Sequence, residues 1–249
     1  MRIGIVGTAL LASIALTSAA PAQNPPAAPA VVRTVVAGAK LADAAATPLF
    51  FRALAVTIPP GATSRIAAPA NGILYQLSGS TEIVANGASK TLAPGEAIVL
   101  AGGGDASLAA GGDGPSRLLH FLLVPAAALD KPAESAPAVV TELYRTPEAV
   151  PNLKPGPYDF NLTRVTFPPA MPPNPPHHRS GAALYYVLSG TGATIVAGTT
   201  TAKGVGSLIY EPSSLVHQWG NPGTEPYTFL AFNMNPEGVP AVVMESPPK

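Results

Sequence analysis

The sequence predicts an all-β protein made of two tandem barrels. Two observations carry that expectation. Short runs of β-branched and aromatic residues recur along the chain, each closed by a Gly or Pro cluster, as in sandwiches and barrels. The first half of the chain also repeats in the second at a nearly constant offset. Helix signals are scarce by comparison.

The elements follow in order. Residues 1–22 read as a secretory signal peptide. Arg2 supplies the positive start, Ile3 to Leu16 the apolar stretch, and Ala20-Pro21-Ala22 a small-residue cleavage site before Gln23. The apolar stretch is short for a membrane span, so the mature chain is expected to be periplasmic or secreted, with no membrane association after cleavage. Residues 23–30 are rich in Pro and Ala and read as a disordered leader. Val31 to Val36 and Phe50 to Ile58 (FFRALAVTI) read as strands, the second ending in Pro59-Pro60-Gly61. Residues 31–127 make the expected first barrel. Pro125 to Pro137 connect it to the second, residues 135–245. Within Lys131 to Pro151, TELYRTPEAV reads as one helical turn or a strand.

In the second half Thr163 to Phe167 (TRVTF), Leu184 to Leu188 (LYYVL) and Leu208 to Tyr210 read as strands. The run Pro168 to Pro176 (PPAMPPNPP) lacks the N–H groups a ladder needs, so it reads as a loop that delivers His177 and His178 to the next strand. The repeat is explicit here. Tyr75, Leu77, Ser78 and Gly79 match Tyr186, Leu188, Ser189 and Gly190 at an offset of 111. The same offset pairs Gly95 with Gly206, Leu119 with Leu230 and Phe121 with Phe232 without a gap. In the first copy Ala101 to Pro115 (AGGGDASLAAGGDGP) reads as a small, flexible loop.

Gly206, Pro212, His217 and Asn221 stand as G-x5-P-x4-H-x3-N. This resembles the second motif of the cupin superfamily, with Ser214 where a Gly is usual. The first cupin motif is matched in part. Anchored on YVLSG, its last Gly is Gly190, its second His is His178, and its first His and Glu fall on Pro176 and Ala183. Fifteen residues separate Gly190 from Gly206, as is usual in the family. The resemblance implies two tandem double-stranded β-helix (cupin, jelly-roll) barrels, a bicupin. It also implies a site where imidazoles and a carboxylate meet one divalent transition metal (Mn, Fe, Ni, Cu or Zn), or a pocket that holds none.

Only His178 and His217 map onto the ligand positions that the resemblance supplies. His177 points to the opposite face of the strand unless the chain bulges. Ala183 stands where the carboxylate is expected, and Glu211 is the nearest replacement; its alternative reading is a solvated strand end. Tyr185 and Tyr186 face opposite ways, with Tyr186 read as the inward one. Trp219 shares a face with His217 by period-two alternation. Arg164 and Arg179 flank the mouth, where either can meet an anionic ligand. The ligand-binding candidates are Tyr186, Trp219 and Arg179; the metal candidates are His178, His217 and His177. The first copy has Arg65, Ala67, Gly72 and Ala106 at the corresponding positions and carries no ligand set. His120 reads as a strand-face or interface histidine.

Composition excludes several classes. With 14 Lys+Arg against 14 Asp+Glu the chain is formally neutral, and it has no basic patch for nucleic acid. It has no cysteine, hence no disulfide, thiolate metal site or thiol nucleophile. No G-x-S-x-G elbow, phosphate-binding loop or dinucleotide fingerprint is present. Three functions remain open: an exported bicupin that binds a small molecule in its second barrel, a metal-dependent enzyme (dioxygenase, decarboxylase, isomerase or hydrolase), and an interaction protein such as a homodimer assembled through barrel edges.

Overall fold

The structure is a computed structural model and describes residues 30–67 and 70–245. The expected signal peptide and nearly all of the leader lie outside the described residues. The first half contributes β1 (Val32–Leu41), β2 (Leu49–Ile58), β3 (Thr63–Ala67), β4 (Asn71–Ser78), β5 (Ser80–Ala85), β6 (Ala88–Leu92), β7 (Ala97–Leu100), β8 (Asp105–Gly111) and β9 (Ser116–Pro125). A 3-10 turn at Ala126–Ala128 follows. The second half contributes β10 (Val139–Arg145), β11 (Tyr158–Phe167), β12 (His177–Arg179), β13 (Ala182–Ser189) and β14 (Gly192–Val196). It ends with β15 (Thr199–Lys203), β16 (Leu208–Glu211), β17 (His217–Gly220), β18 (Tyr227–Pro236) and β19 (Val242–Met244). The all-β expectation holds.

Two strands need comment. The stretch read as a helical turn or a strand contains β10, so the strand alternative holds. The loop expected over Ala101 to Pro115 contains β8, because Ala106 and Leu108 alternate inward while Asp105 stays outside. Small residues hide that alternation in the sequence.

The strands form four antiparallel sheets. One barrel combines β10-β2-β9-β4-β7 with β3-β8-β5-β6; the other combines β1-β11-β18-β13-β16 with β15-β14-β17-β12-β19. Sheet membership crosses the boundary expected between residues 127 and 135. β1 pairs with β11 (Arg33 opposite Val165), and β10 pairs with β2 (Val140 opposite Val56). Each half therefore lends its leading strand to the sheet of the other.

The sheets β1-β11-β18-β13-β16 and β10-β2-β9-β4-β7 pack back to back, and this joint is the largest core. Leu230, Phe232 and Met234 of β18 meet Phe51 of β2 and Phe121 of β9 in one buried cluster. Phe232 is its centre, with ring centroids 5.4 Å from Phe51, 5.3 Å from Phe121 and 5.0 Å from Phe160. Edge-on and tilted contacts of this kind add to the gain from burial. The matching glycines Gly79 and Gly190 have φ of 70° and 76°, a conformation that favours glycine. A Cβ there would stand 2.7 Å from Pro115 O and 2.5 Å from Pro226 O. The repeated Ser-Gly thus marks a turn that no larger residue fits.

Phe232→Ala should empty the centre of this joint and lower the unfolding free energy by about 3–5 kcal/mol. Urea denaturation measures it; a loss under about 1 kcal/mol would show that the barrels do not depend on this contact.

Candidate functional site

A cavity of about 220 Å³ lies between the two sheets of the second barrel. Its floor comes from alternate residues of β11, β13 and β18, the side of that sheet turned away from Phe232. β12 and β17 form the opposite side, and β19 and Arg33 of β1 reach the rim. Each β18 residue thus serves one of two interiors: Phe229, Ala231, Asn233 and Asn235 line the cavity, and the residues between them fill the joint.

Local structure explains how the histidines arrive. The Pro-rich loop is fastened to β17 through Asn174, whose Oδ1 accepts from Trp219 N at 2.7 Å and whose carbonyl accepts from Gln218 Nε2 at 2.7 Å. Asn221 closes the other end, donating from Nδ2 to Pro168 O at 3.0 Å and Glu225 O at 2.8 Å. The motif asparagine is therefore a loop anchor. Gly181, between β12 and β13, passes so close to β18 that a Cβ would fall 1.9 Å from Met234 O. That approach brings Arg179 against Asn233.

The parity of β12 corrects the histidine assignment. His177 pairs in register with His217 and turns inward; their ring centroids are 4.4 Å apart. His178 turns outward, half-buried, with Nδ1 2.6 Å from Glu245 Oε1, and it does not face His217. Successive strand residues point to opposite faces, and no bulge is needed for His177 to face in. The same parity places Arg179 inside and buried. Tyr186 is corrected likewise. It packs into the joint between the barrels, whereas Tyr185 is buried against the cavity. Trp219 lines the cavity beside His217. Arg164 lies away from the cavity, towards Gly95 of the first barrel.

Glu211 is not a solvated strand end. It is 2 % exposed and stands directly across the ladder from Ala183, the position where the resemblance places a carboxylate. Its neighbours form one connected polar network. Tyr185 donates its hydroxyl to Glu211 Oε2, and Trp219 Nε1 donates to Oε1 at 2.6 Å. Arg179 donates through Nη1 to the Tyr185 hydroxyl at 2.7 Å and through Nη2 to Asn233 Oδ1 at 2.6 Å. Asn233 Nδ2 continues to Asn161 Oδ1 at 2.9 Å. Burial holds the Tyr185 phenol well above its usual range, so it stays a donor. The signal for Glu211 was present in the sequence as the nearest acidic residue; nothing there distinguished Tyr185 from Tyr186.

Both inward imidazoles have their orientation fixed. His177 Nδ1 lies 2.9 Å from Pro175 O and His217 Nδ1 lies 2.8 Å from Leu215 O, so Nδ1 is the donor in each and Nε2 faces away from the backbone. His217 Nε2 stands 3.0 Å from Glu211 Oε1, an ion pair when the ring is protonated. Burial lowers the His177 pKa from its ordinary value, which makes the ring a neutral acceptor at pH 7.

The donor types suit a transition metal, but the set is incomplete. Among the described residues no three His, Asp or Glu side chains are placed to hold one ion. Glu211 is already committed to Tyr185 and Trp219, and the guanidinium of Arg179 shares the cavity with the imidazoles. The residues do not fit the centre of three imidazoles plus a carboxylate that the resemblance implies.

The first barrel is the converse. At the 111-residue offset its Ile66, Leu74, Leu100, Ala106 and Leu122 take the places of His177, Tyr185, Glu211, His217 and Asn233. All five are buried in one apolar cluster. His120 is a barrel-interior residue, not a strand-face or interface one. It is fully buried, with Nδ1 2.5 Å from Glu134 Oε1, which enters from the connection between the barrels.

Fold and cavity define a two-barrel β protein with one filled interior and one polar, open interior. Residues 163–233 match the model of the Cupin domain family. Solved structures with the same fold include a salicylate 1,2-dioxygenase from Pseudaminobacter salicylatoxidans, 14 % identical, covering 78 % of this chain and 75 % of that one, TM-score 0.53. AerE from Microcystis aeruginosa is also 14 % identical, covering 80 % and 98 %, TM-score 0.53. Bacillus subtilis oxalate decarboxylase, a protein with Mn(II) centres, is 14 % identical, covering 88 % and 81 %, TM-score 0.53. The chain has the cupin fold. No curated protein matches the sequence.

The depressed His177 pKa makes a pH prediction. The unfolded ring takes up a proton as pH falls through about 6.5, while the folded ring does so only at lower pH. The unfolded state then holds more protons, so stability is full above that value and declines as pH falls. His177→Asn should flatten the decline in unfolding free energy between pH 7 and about 5; an unchanged slope would contradict the assignment.

Proposed function

We propose that this protein is an exported bicupin whose second barrel binds a small polar molecule without a resident metal, and whose first barrel is structural. One observation supports this most strongly. Positions that are apolar and packed in the first barrel are polar and gathered round a cavity in the second. Burying polar side chains costs stability unless they are paired, so a network with open space beside it is better explained by a ligand than by folding. Export rests on residues 1–22 and their n-region, apolar stretch and cleavage pattern.

The network determines what this pocket offers. Arg179, held by Tyr185 and Asn233, presents a fixed positive charge. His177 presents a neutral Nε2 acceptor. Trp219 and Phe229 supply aromatic surface, with centroids 4.8 Å apart. Such a mixture of apolar surface and a few oriented polar groups is the usual make-up of a small-molecule site. The fold is shared by proteins of many chemistries and selects no reaction.

A second reading has one observation in its favour. Nε2 of both inward imidazoles is free of backbone bonds, the arrangement a metal-binding histidine adopts. Elemental analysis separates the two readings. The chain from Gln23, offered Mn, Fe, Ni, Cu and Zn and then desalted, should retain less than about a tenth of an equivalent of any metal. One equivalent that is lost in both His177→Ala and His217→Ala would replace the metal-free reading. On the same sample Trp219, the single tryptophan, reports the cavity. Its emission should respond to at least some members of a panel of small polar molecules; a silent signal across the panel would count against ligand binding.

A further inference from the structure

We propose that the ligand of the second barrel is a small hydroxycarboxylate, its carboxylate on Arg179 and its hydroxyl on Asn235. This inference rests on the small-molecule reading above and names the chemical class of the molecule bound.

Charge comes first. Among the described residues, those that line the cavity include two guanidinium groups, Arg33 and Arg179, and no Asp or Glu. Glu211 lies behind the lining, its oxygens turned to Tyr185, Trp219 and His217. A recess lined by one sign of charge concentrates ligands of the other.

Unpartnered atoms give the position. Arg179 makes two hydrogen bonds through Nη1 and Nη2, yet its buried Nε has no partner among the described residues. Buried polar atoms in folded proteins are nearly always paired, and a guanidinium N–H is matched best by a carboxylate oxygen. The buried Oδ1 of Asn235 is likewise without a partner, and it is an acceptor. Asn233 and Asn235 are two apart on β18 and share the cavity face, so the carboxamide that holds Arg179 and the open one are neighbours. An anion alone satisfies the donor and leaves the acceptor. A molecule with a carboxylate and a nearby hydroxyl satisfies both, and the neutral Nε2 of His177 offers a further acceptor to a hydroxyl. Arg33, exposed at the rim, meets the incoming charge.

Binding is read from Trp219 emission by titrating lactate, malate and tartrate. The controls are succinate, which lacks the hydroxyl of malate, and the diamide of malate, which lacks the charge. At least one hydroxy acid should bind with a dissociation constant below about 1 mM. Its uncharged or hydroxyl-free counterpart should bind at least about tenfold more weakly. Arg179→Gln should weaken the acid at least about tenfold and the amide by less. Arg33→Gln, at an exposed position outside the network, should weaken the acid alone and keep the fold intact. Asn235→Leu should erase the preference for the hydroxyl. Equal binding of acid and amide, or no effect of either arginine substitution, would overturn the inference. So would a response of Trp219 to neutral compounds with none to the acids, which leaves the small-molecule reading standing. Silence of Trp219 towards every compound would remove both.

Discussion

Phe232 is held on three sides by Phe51, Phe121 and Phe160, and it fixes which way every other residue of β18 must point. In a sheet buried on both faces, a strand has two interiors to serve and only alternation to serve them with. Leu230, Phe232 and Met234 go to the joint between the barrels. Phe229, Ala231, Asn233 and Asn235 are thereby committed to the cavity. β11 and β13 obey the same rule, which is why Tyr185 is in the cavity network and Tyr186 is not. Exchange of β1 and β10 between the halves reinforces the joint, because separating the barrels would tear a strand from each sheet.

The two barrels share a backbone plan and differ in what fills them. In the first, aliphatic side chains close the interior, and the pair His120 and Glu134 is sealed among them. In the second, the equivalent places carry His177, Tyr185, Glu211, His217 and Asn233. An apolar filling is the simpler way to stabilise a barrel. A polar network in its place costs desolvation, and each member must be bonded to recover it. That recovery is nearly complete at Glu211 and Tyr185 and incomplete at Arg179 Nε and Asn235 Oδ1. The incomplete atoms are therefore the informative ones.

Much of the fold was legible in the sequence. Gly and Pro punctuation gave the strands, the YQLSG and YVLSG repeat gave the duplication, and the spacing of Gly206, Pro212, His217 and Asn221 gave the resemblance. The strand exchange was not legible, since pairing partners leave no local trace in Val32–Leu41 or Val139–Arg145. β8 was hidden because alanine and glycine carry weak alternation. Two side-chain directions were read one residue off: His177 rather than His178 turns inward, and Tyr185 rather than Tyr186. Counting from a motif fixes position but not parity, and parity is set by the pairing of His177 with His217 and Met244. Arg179 and His177 share a parity, as do His217 and Trp219. Consistency between those pairs was the available clue.

The proposed pocket depends most on the direction of the β12 side chains. Because the chain has no cysteine, a single thiol can be placed at either position and its accessibility measured directly. His178→Cys should react with a bulky thiol reagent at close to the rate of the unfolded chain. His177→Cys should react at least about tenfold more slowly, since an inward thiol is reached only through the cavity or by local opening. Faster labelling at 177 than at 178 would reverse the parity of β12 and take Arg179 out of the cavity with it.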